Sequence, residues 1–326
     1  MHVSMLEWFL TLGATTAVLL FDVVVVARRP RRPATPESAT ALAIYVGLAV
    51  LFGIWVWFFH GHQFGLEFFA GWLTEYSLSI DNLFLFIVIM ASFNVPKVYQ
   101  QQALFVGIVI ALILRGVFIA LGAVAIQKFS WVFYLFGVFL VYIAVKLARD
   151  HDRKRDVENG VVRFARRHVN ITVTWDGVKL YVKKGSGRLS KRAMTPMFLV
   201  ILALGAADLV FALDSIPAIY GLTREPYLVL AANVFALMGL RQLYFLLGGL
   251  LKRMVYLSRG LAVILFFIGV KLVLHALREN EVPFINGGQH IDVPEIPTLL
   301  SLAVIIATLV VTALASLFAT RVLDPD

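Results

Sequence analysis

The chain has 326 residues, 60% of them hydrophobic and only 15% charged, and its mean hydropathy is +0.85. A soluble domain is about 45–50% apolar and about 25% charged, so an ordinary cytosolic enzyme, a disordered chain and a small secreted domain are excluded. There is no cysteine, which excludes disulfides, thiolate metal sites, iron–sulfur clusters and cysteine nucleophiles. The net charge of +9 needs no nucleic acid to explain it, because cytoplasmic loops of membrane proteins collect Lys and Arg.

A spanning helix needs about 20 mostly apolar residues. Nine such runs are present, at 5–27, 40–60, 66–93, 103–126, 129–148, 194–220, 226–250, 258–276 and 297–320. The predicted fold class is therefore all-α, a polytopic helix bundle embedded in the lipid bilayer. The first run carries Glu7 near its start and is followed directly by Arg28-Arg29-Pro30-Arg31-Arg32-Pro33, a stop-transfer flank rather than a cleaved signal. Of the 29 Lys and Arg residues, 22 fall on segments that alternate to one side, and three (Lys128, Arg224, Arg278) fall on the other. That split predicts an outside N-terminus and a cytoplasmic C-terminus.

One long non-membrane segment remains, 149–193. Ile171–Trp175 and Val178–Val182 alternate around Asp176-Gly177, the pattern of a small β-hairpin. The segment has no Gly-rich phosphate loop and no nucleophile constellation. It reads as a cytoplasmic loop open to protein partners, not as a catalytic domain. The outer loop 277–296, with Glu279, Glu281, Asp292 and Glu295, reads as a solvated cap.

The sequence repeats itself at its costliest positions. The third run has Glu75-Tyr-Ser-Leu-Ser-Ile-Asp81-Asn82, and the sixth has Asp208-Leu-Val-Phe-Ala-Leu-Asp214-Ser215. The fourth has Leu114-Arg115-Gly-Val-Phe118-Ile-Ala-Leu-Gly122, and the seventh Leu240-Arg241-Gln-Leu-Tyr244-Phe-Leu-Leu-Gly248. Ile143-Ala-Val-Lys146-Leu147 pairs with Ile268-Gly-Val-Lys271-Leu272. Each copy holds three spans, an odd number, so the copies cross the membrane in opposite directions. Such inverted repeats place ion sites where the halves meet near the midplane. The organisation is then 1–65, peripheral helices; 66–148, first repeat; 149–193, cytoplasmic loop; 194–276, second repeat; 277–326, outer loop and last helix.

A charge at the centre of a span costs about 2.5–3.5 kcal/mol on insertion scales. Glu75, Asp81, Asp208 and Asp214 therefore read as a cation path, and the competing reading is a set of buried pairs that fix helix register. Arg115 and Arg241 read as charge-balancing groups that orient the acids. Lys146 and Lys271 lie nearer span ends, where snorkelling to the interface is the default. Four carboxylates against two guanidiniums leave −2, which suits one divalent cation, or protons on the acids and hence metal–proton exchange. Residues six apart on a helix differ by about 240° in azimuth. The paired acids of one repeat must therefore line different parts of the path, unless the helix unwinds; Pro217 is the expected break in the sixth span. Carboxylates, the Asn82 amide and the hydroxyls of Ser77, Ser79 and Ser215 are hard ligands, suited to Mg²⁺, Ca²⁺ or Mn²⁺. His60-Gly-His62 reads as a solvated loop.

Glu75-Tyr-Ser-Leu-Ser-Ile-Asp81-Asn82-Leu-Phe and Asp208-Leu-Val-Phe-Ala-Leu-Asp214-Ser215-Ile-Pro217-Ala resemble the two signature motifs of the TerC family of integral membrane proteins. Gly239-Leu-Arg241-Gln-Leu-Tyr-Phe-Leu-Leu is similar to a third. The resemblance covers residues 40–275. It implies a bacterial cytoplasmic (inner) membrane protein related to the LysE-type exporter superfamily, linked to tellurium-ion resistance, Mn²⁺ export and metal supply to secreted enzymes. By motif match it implies Asp81, Asn82, Asp214 and Ser215 as metal ligands, with Glu75 and Asp208 close behind. The chain departs from some members at Gly205, where they carry a further acid. Tellurium oxyanions are repelled by a path lined with acids, so such resistance would be indirect.

The expected function is transport of a divalent cation, Mn²⁺ first among candidates and in the direction of efflux. It is not an enzyme and has no resident cofactor. The alternative is a membrane scaffold or assembly factor linked to metal supply.

Overall fold

The computed structural model describes residues 3–28, 35–129, 131–149, 175, 179–184, 191–247, 256–280, 282–283 and 285–323. Within them the order is α1 (Met5–Arg28), α2 (Thr35–His60), α3 (His62–Ser92), α4 (Lys97–Lys128), α5 (Val132–Arg149), β1 (Tyr181–Lys184), β2 (Lys191–Met194), α6 (Pro196–Tyr220), α7 (Pro226–Met238), α8 (Leu240–Leu247), α9 (Leu257–Arg278) and α10 (Thr298–Leu323). Eight spans among the described residues are long and apolar enough to cross a membrane, α7 and α8 together forming one of them. The first of the nine expected spans is present as the 24-residue helix α1. Its described apolar stretch is Met5–Val18, shorter than a full crossing.

The helix boundaries follow local chemistry. A single residue, Gly61, separates α2 from α3, at φ 112, a conformation that side chains disfavour and glycine tolerates. Pro196 and Pro226 open α6 and α7 within their first turns, where a missing N–H is harmless. The expected break at Pro217 does not occur: α6 runs unbroken to Tyr220. Pro217 lies one turn from the C-terminus, so it forfeits only one late hydrogen bond. Residues 216–220 are all buried, and the Pro217 and Ala218 carbonyls both accept from Gly221 N–H, at 3.0 and 3.2 Å. The paired acid positions therefore sit on continuous helices, on different faces.

A hairpin is present over residues 181–194, beyond the one expected. β1 pairs antiparallel with β2, Tyr181 opposite Met194 and Lys184 opposite Lys191. The strand expected at 171–175 and its Asp176-Gly177 turn lie largely outside the described residues. The loop 277–296 is more than a solvated cap. The Asn280 amide donates to the carbonyls of Ile285 and Gln289 at 2.6 and 3.1 Å. Arg278 pairs with Glu295, and Arg224 Nη2 lies 2.7 Å from Glu279 Oε2. His60 is also not a loop residue: it ends α2, stacks edge-on to Trp55 and places Nε2 3.1 Å from Glu7 Oε1.

The repeat is visible in the packing. α3 packs on α7, α4 on α6, and α5 on α9; exchanging the two halves maps each pair onto another or onto itself. The tightest seam is α5 against α9. A methyl group added at Gly137 would come within 2.9 Å of the Gly269 carbonyl oxygen, and one at Gly269 within 2.9 Å of the Gly137 oxygen. Small residues let backbones approach this closely, which is how helices associate without a hydrophobic driving force in lipid. The equivalent positions in the repeat, Ala144 and Ala262, are also small and buried. The peripheral helices pack on both halves: the Thr11 hydroxyl meets Tyr227 Oη of α7 at 2.6 Å, Phe52 of α2 packs on Phe68 of α3 and Phe235 of α7, and α10 lies against α3 and α9.

Candidate functional site

The largest fully buried side chain among the described residues is Arg115. It projects from the middle of α4, a helix of otherwise apolar residues in that stretch. An isolated guanidinium could not stay there, because taking an ion out of water costs several kcal/mol even after relaxation. Two carboxylates compensate it. Arg115 Nη1 donates to Glu75 Oε2 of α3 at 2.6 Å, and Nη2 donates to Asp208 Oδ1 of α6 at 3.3 Å. Glu75 is 0% and Asp208 2% exposed. One arginine thus ties the first acid of the first repeat to the first acid of the second.

Four more polar groups gather at this junction. Asn233 of α7, 0% exposed, donates from Nδ2 to Glu75 Oε2 at 3.2 Å. Ser215, one residue beyond Asp214, is buried beside the Glu75 carboxylate without reaching hydrogen-bond geometry. Ser79 stands one turn beyond Glu75 on α3 and is buried. Asp214 is half-buried and close enough to act electrostatically on Arg115. Two carboxylates against one guanidinium leave a net negative charge, which Asp214 increases.

Among the described residues, five oxygens here are buried and have no hydrogen-bond partner: Glu75 Oε1, Asp208 Oδ2, Ser79 Oγ, Ser215 Oγ and Asn233 Oδ1. Buried polar atoms left unmade cost about 1–3 kcal/mol each, so such a set calls for a cation, a proton or water. All five are hard oxygen donors of the type that Mg²⁺, Ca²⁺ and Mn²⁺ prefer. Among the described residues, no group of three or more His, Asp or Glu side chains is arranged to hold a metal. The cluster's donors are two carboxylates supplemented by an amide and hydroxyls.

The expected quartet is only partly described. Asn82 is buried on α3 and Ser215 joins the cluster. Position 81 lies on α3, and its side chain falls outside the described residues. Arg241 is half-buried near the start of α8. Asn233 was missed in the sequence. The available signal was composition: apart from the Tyr227 hydroxyl, it is the only polar side chain in the 13 residues of α7.

Residues 60–323 match the family described as "Integral membrane protein TerC family". The chain is similar to "Uncharacterized membrane protein Rv2723" of Mycobacterium tuberculosis, at 46% identity over 98% of this chain and 81% of that protein. It is similar to "Uncharacterized membrane protein STKORF319" of Myxococcus xanthus, at 35% identity over 96% of this chain and 92% of the relative. "Putative membrane-bound redox modulator Alx" of Escherichia coli K12 is 35% identical over 90% of this chain and 89% of its own length. No solved structure matches the chain.

Proposed function

Taking as premise that the chain belongs to the integral membrane protein TerC family, we propose that it carries a divalent cation, Mn²⁺ first among candidates, across the bacterial cytoplasmic membrane. The observation that carries this reading is the buried cluster of Glu75, Asp208, Ser79, Ser215 and Asn233 around Arg115. It sits where the two repeats meet, is negative overall, and offers hard oxygens with unused acceptor capacity. Charges at membrane depth are rare and mark ion pathways. Arg115 lowers the negative charge enough for the site to survive between ions. Asn82 of α3 and Asp214 of α6 extend the path beyond the cluster.

The same acids bear protons more readily when no cation is present, so cation movement is coupled to protons in the opposite direction. The direction of net movement is efflux, with the N-terminus outside. The name of the Alx relatives points to redox modulation; with no cysteine, this chain has no thiol exchange of its own, and a redox effect here runs through the ion it moves.

Purified protein in liposomes loaded with a Mn²⁺-sensitive dye tests the reading. The wild type is expected to quench the dye and to move protons with it, whereas Asp208→Asn and Glu75→Gln lose flux and stay folded. A wild type that passes no Mn²⁺, Mg²⁺ or Ca²⁺ would sink the proposal and leave a scaffold role.

A further inference from the structure

A cleft of about 760 Å³ opens at one end of the bundle, lined by the start of α3, the α6–α7 turn, the end of α9 and residues 294–299. Glu67 of α3 lines it and is only 7% exposed. Its Oε1 accepts from Gln63 Nε2 at 3.1 Å and its Oε2 from Thr223 Oγ1 at 2.7 Å. Both donors are neutral, so they orient the carboxylate without cancelling its charge. Each carboxylate oxygen keeps a further lone pair for another partner.

The other charges in the cleft divide into two groups. Arg224 and Arg278 are engaged by Glu279 and Glu295. Among the described residues, Lys271 is not bonded to a carboxylate. Its Nζ donates to Ser301 Oγ of α10 at 3.1 Å, and from there its charge acts on Glu67. Its repeat counterpart, Lys146, is exposed on α5. A lysine drawn into a cleft beside a buried carboxylate is not simply snorkelling.

We propose that this cleft, at the end of the bundle that carries the outer loop, is an exit station for a divalent cation, with Glu67 as its carboxylate ligand and Lys271 as a tethered competitor for that carboxylate. The Thr223 hydroxyl and the Gln63 amide oxygen supply further hard donors. Glu225, which also lines the cleft and acts on Glu67, adds negative charge at the rim. Glu67 stands eight residues before Glu75, about 12 Å along α3 and about 80° around it. The station and the buried cluster therefore occupy successive stretches of one helix. An arriving ion displaces the influence of the Lys271 ammonium, so the lysine sets how tightly the station holds it. The choice of a divalent cation rests on the reading of the buried cluster; the station's existence does not depend on transport.

The absence of native cysteine makes a single label unambiguous. Leu299→Cys, in the lining of the cleft, carries a trifluoromethyl group, and Mn²⁺ is titrated while its ¹⁹F relaxation is followed in detergent. Saturable broadening is expected. Glu67→Gln should weaken it about tenfold, and Lys271→Met should tighten it about tenfold, since removing a nearby like charge favours the ion. Asp81→Asn/Asp214→Asn should leave it unchanged. If Glu67→Gln does not fold, Glu67→Asp carries the same test, with weakened but saturable broadening expected. Broadening of undiminished affinity in Glu67→Gln, weakened affinity in Lys271→Met, or loss of broadening in the Asp81→Asn/Asp214→Asn protein would overturn the proposal. Intact broadening with no flux in liposomes would instead refute transport and leave the station standing.

Discussion

The two repeats share a sequence pattern but divide the electrostatic work unequally. In the first half, Arg115 rides on the unbroken 32-residue α4 and is fully buried between Glu75 and Asp208. In the second half, the matching Arg241 follows Gly239, which separates α7 from the eight-residue α8, and is half-buried. There the group that reaches Glu75 is Asn233, a neutral amide. The position that matches Asn233 in the first half is Gly107, which has no side chain to offer Asp208. Asp208 Oδ2 accordingly has no hydrogen-bond partner among the described residues. Equivalent sequence positions in an inverted repeat thus need not do equivalent work: one half supplies the cation that balances the acids, and the other supplies an uncharged donor.

Breaking the clasp should have the largest effect. Arg115→Gln leaves two buried carboxylates without their counter-charge and should cost about 3–5 kcal/mol of stability. Arg241→Gln should cost clearly less, because a half-buried guanidinium is partly solvated. Unfolding in detergent, followed by tryptophan fluorescence, checks both; equal losses would mean that the halves are balanced after all. Next comes Asn233→Ala, which removes one hydrogen bond to a charged partner and should cost about 1.5–3 kcal/mol. The same unfolding assay reads it, and a neutral result would remove Asn233 from the cluster.

The α5–α9 seam sharpens the comparison from the other direction, because there the halves behave alike. Gly137→Ala and Gly269→Ala each place a methyl group against the opposite backbone. Each should lose about 1–3 kcal/mol by overpacking, and the two melting temperatures should fall together. A large loss at one glycine alone would show that the seam is as unequal as the clasp.

The smallest effect concerns the loop that closes the bundle. Burial acts to raise the Glu279 carboxyl, but the hydrogen bond and charge of Arg224 outweigh it and hold the group below its ordinary value of 4.5. A carboxylate depressed in the folded state contributes stability above its unfolded pKa and loses it as pH falls through the folded value. The pair is exposed, so the contribution is below about 1 kcal/mol. Wild type and Glu279→Gln should differ slightly in melting temperature at pH 6 and converge on acidification below 4.5. A difference that persists unchanged at low pH would contradict this.

Much of the architecture was legible because membrane insertion writes strong signals: long apolar runs, and charges that cost too much to be accidental. Those charges located the repeat, and Glu75, Asp208 and Arg115 indeed meet. What was less legible has physical reasons. Asn233 and Glu67 gave weak signals, one being an uncharged side chain in an apolar run and the other an acid at the edge of a span. The pairing of Tyr181–Lys184 with Lys191–Met194 was not read from the sequence because no Asn-Gly or Asp-Gly signal lies between those strands, while the expected Asp176-Gly177 turn lies outside the described residues. Pro217 looked like a break because its cost is large in a helix interior, yet it falls where the last turn already frays into shared hydrogen bonds.

The most direct test of the central claim is Mn²⁺ calorimetry on the folded double variant Glu75→Gln/Asp208→Asn, set beside Arg241→Gln. If the clasp between the halves supplies two carboxylates to the ion, as proposed, the double variant should bind no Mn²⁺ in the membrane core, while Arg241→Gln keeps wild-type stoichiometry. Binding of undiminished affinity and stoichiometry by Glu75→Gln/Asp208→Asn would contradict the assignment of the cation site to the place where the two repeats meet through Arg115.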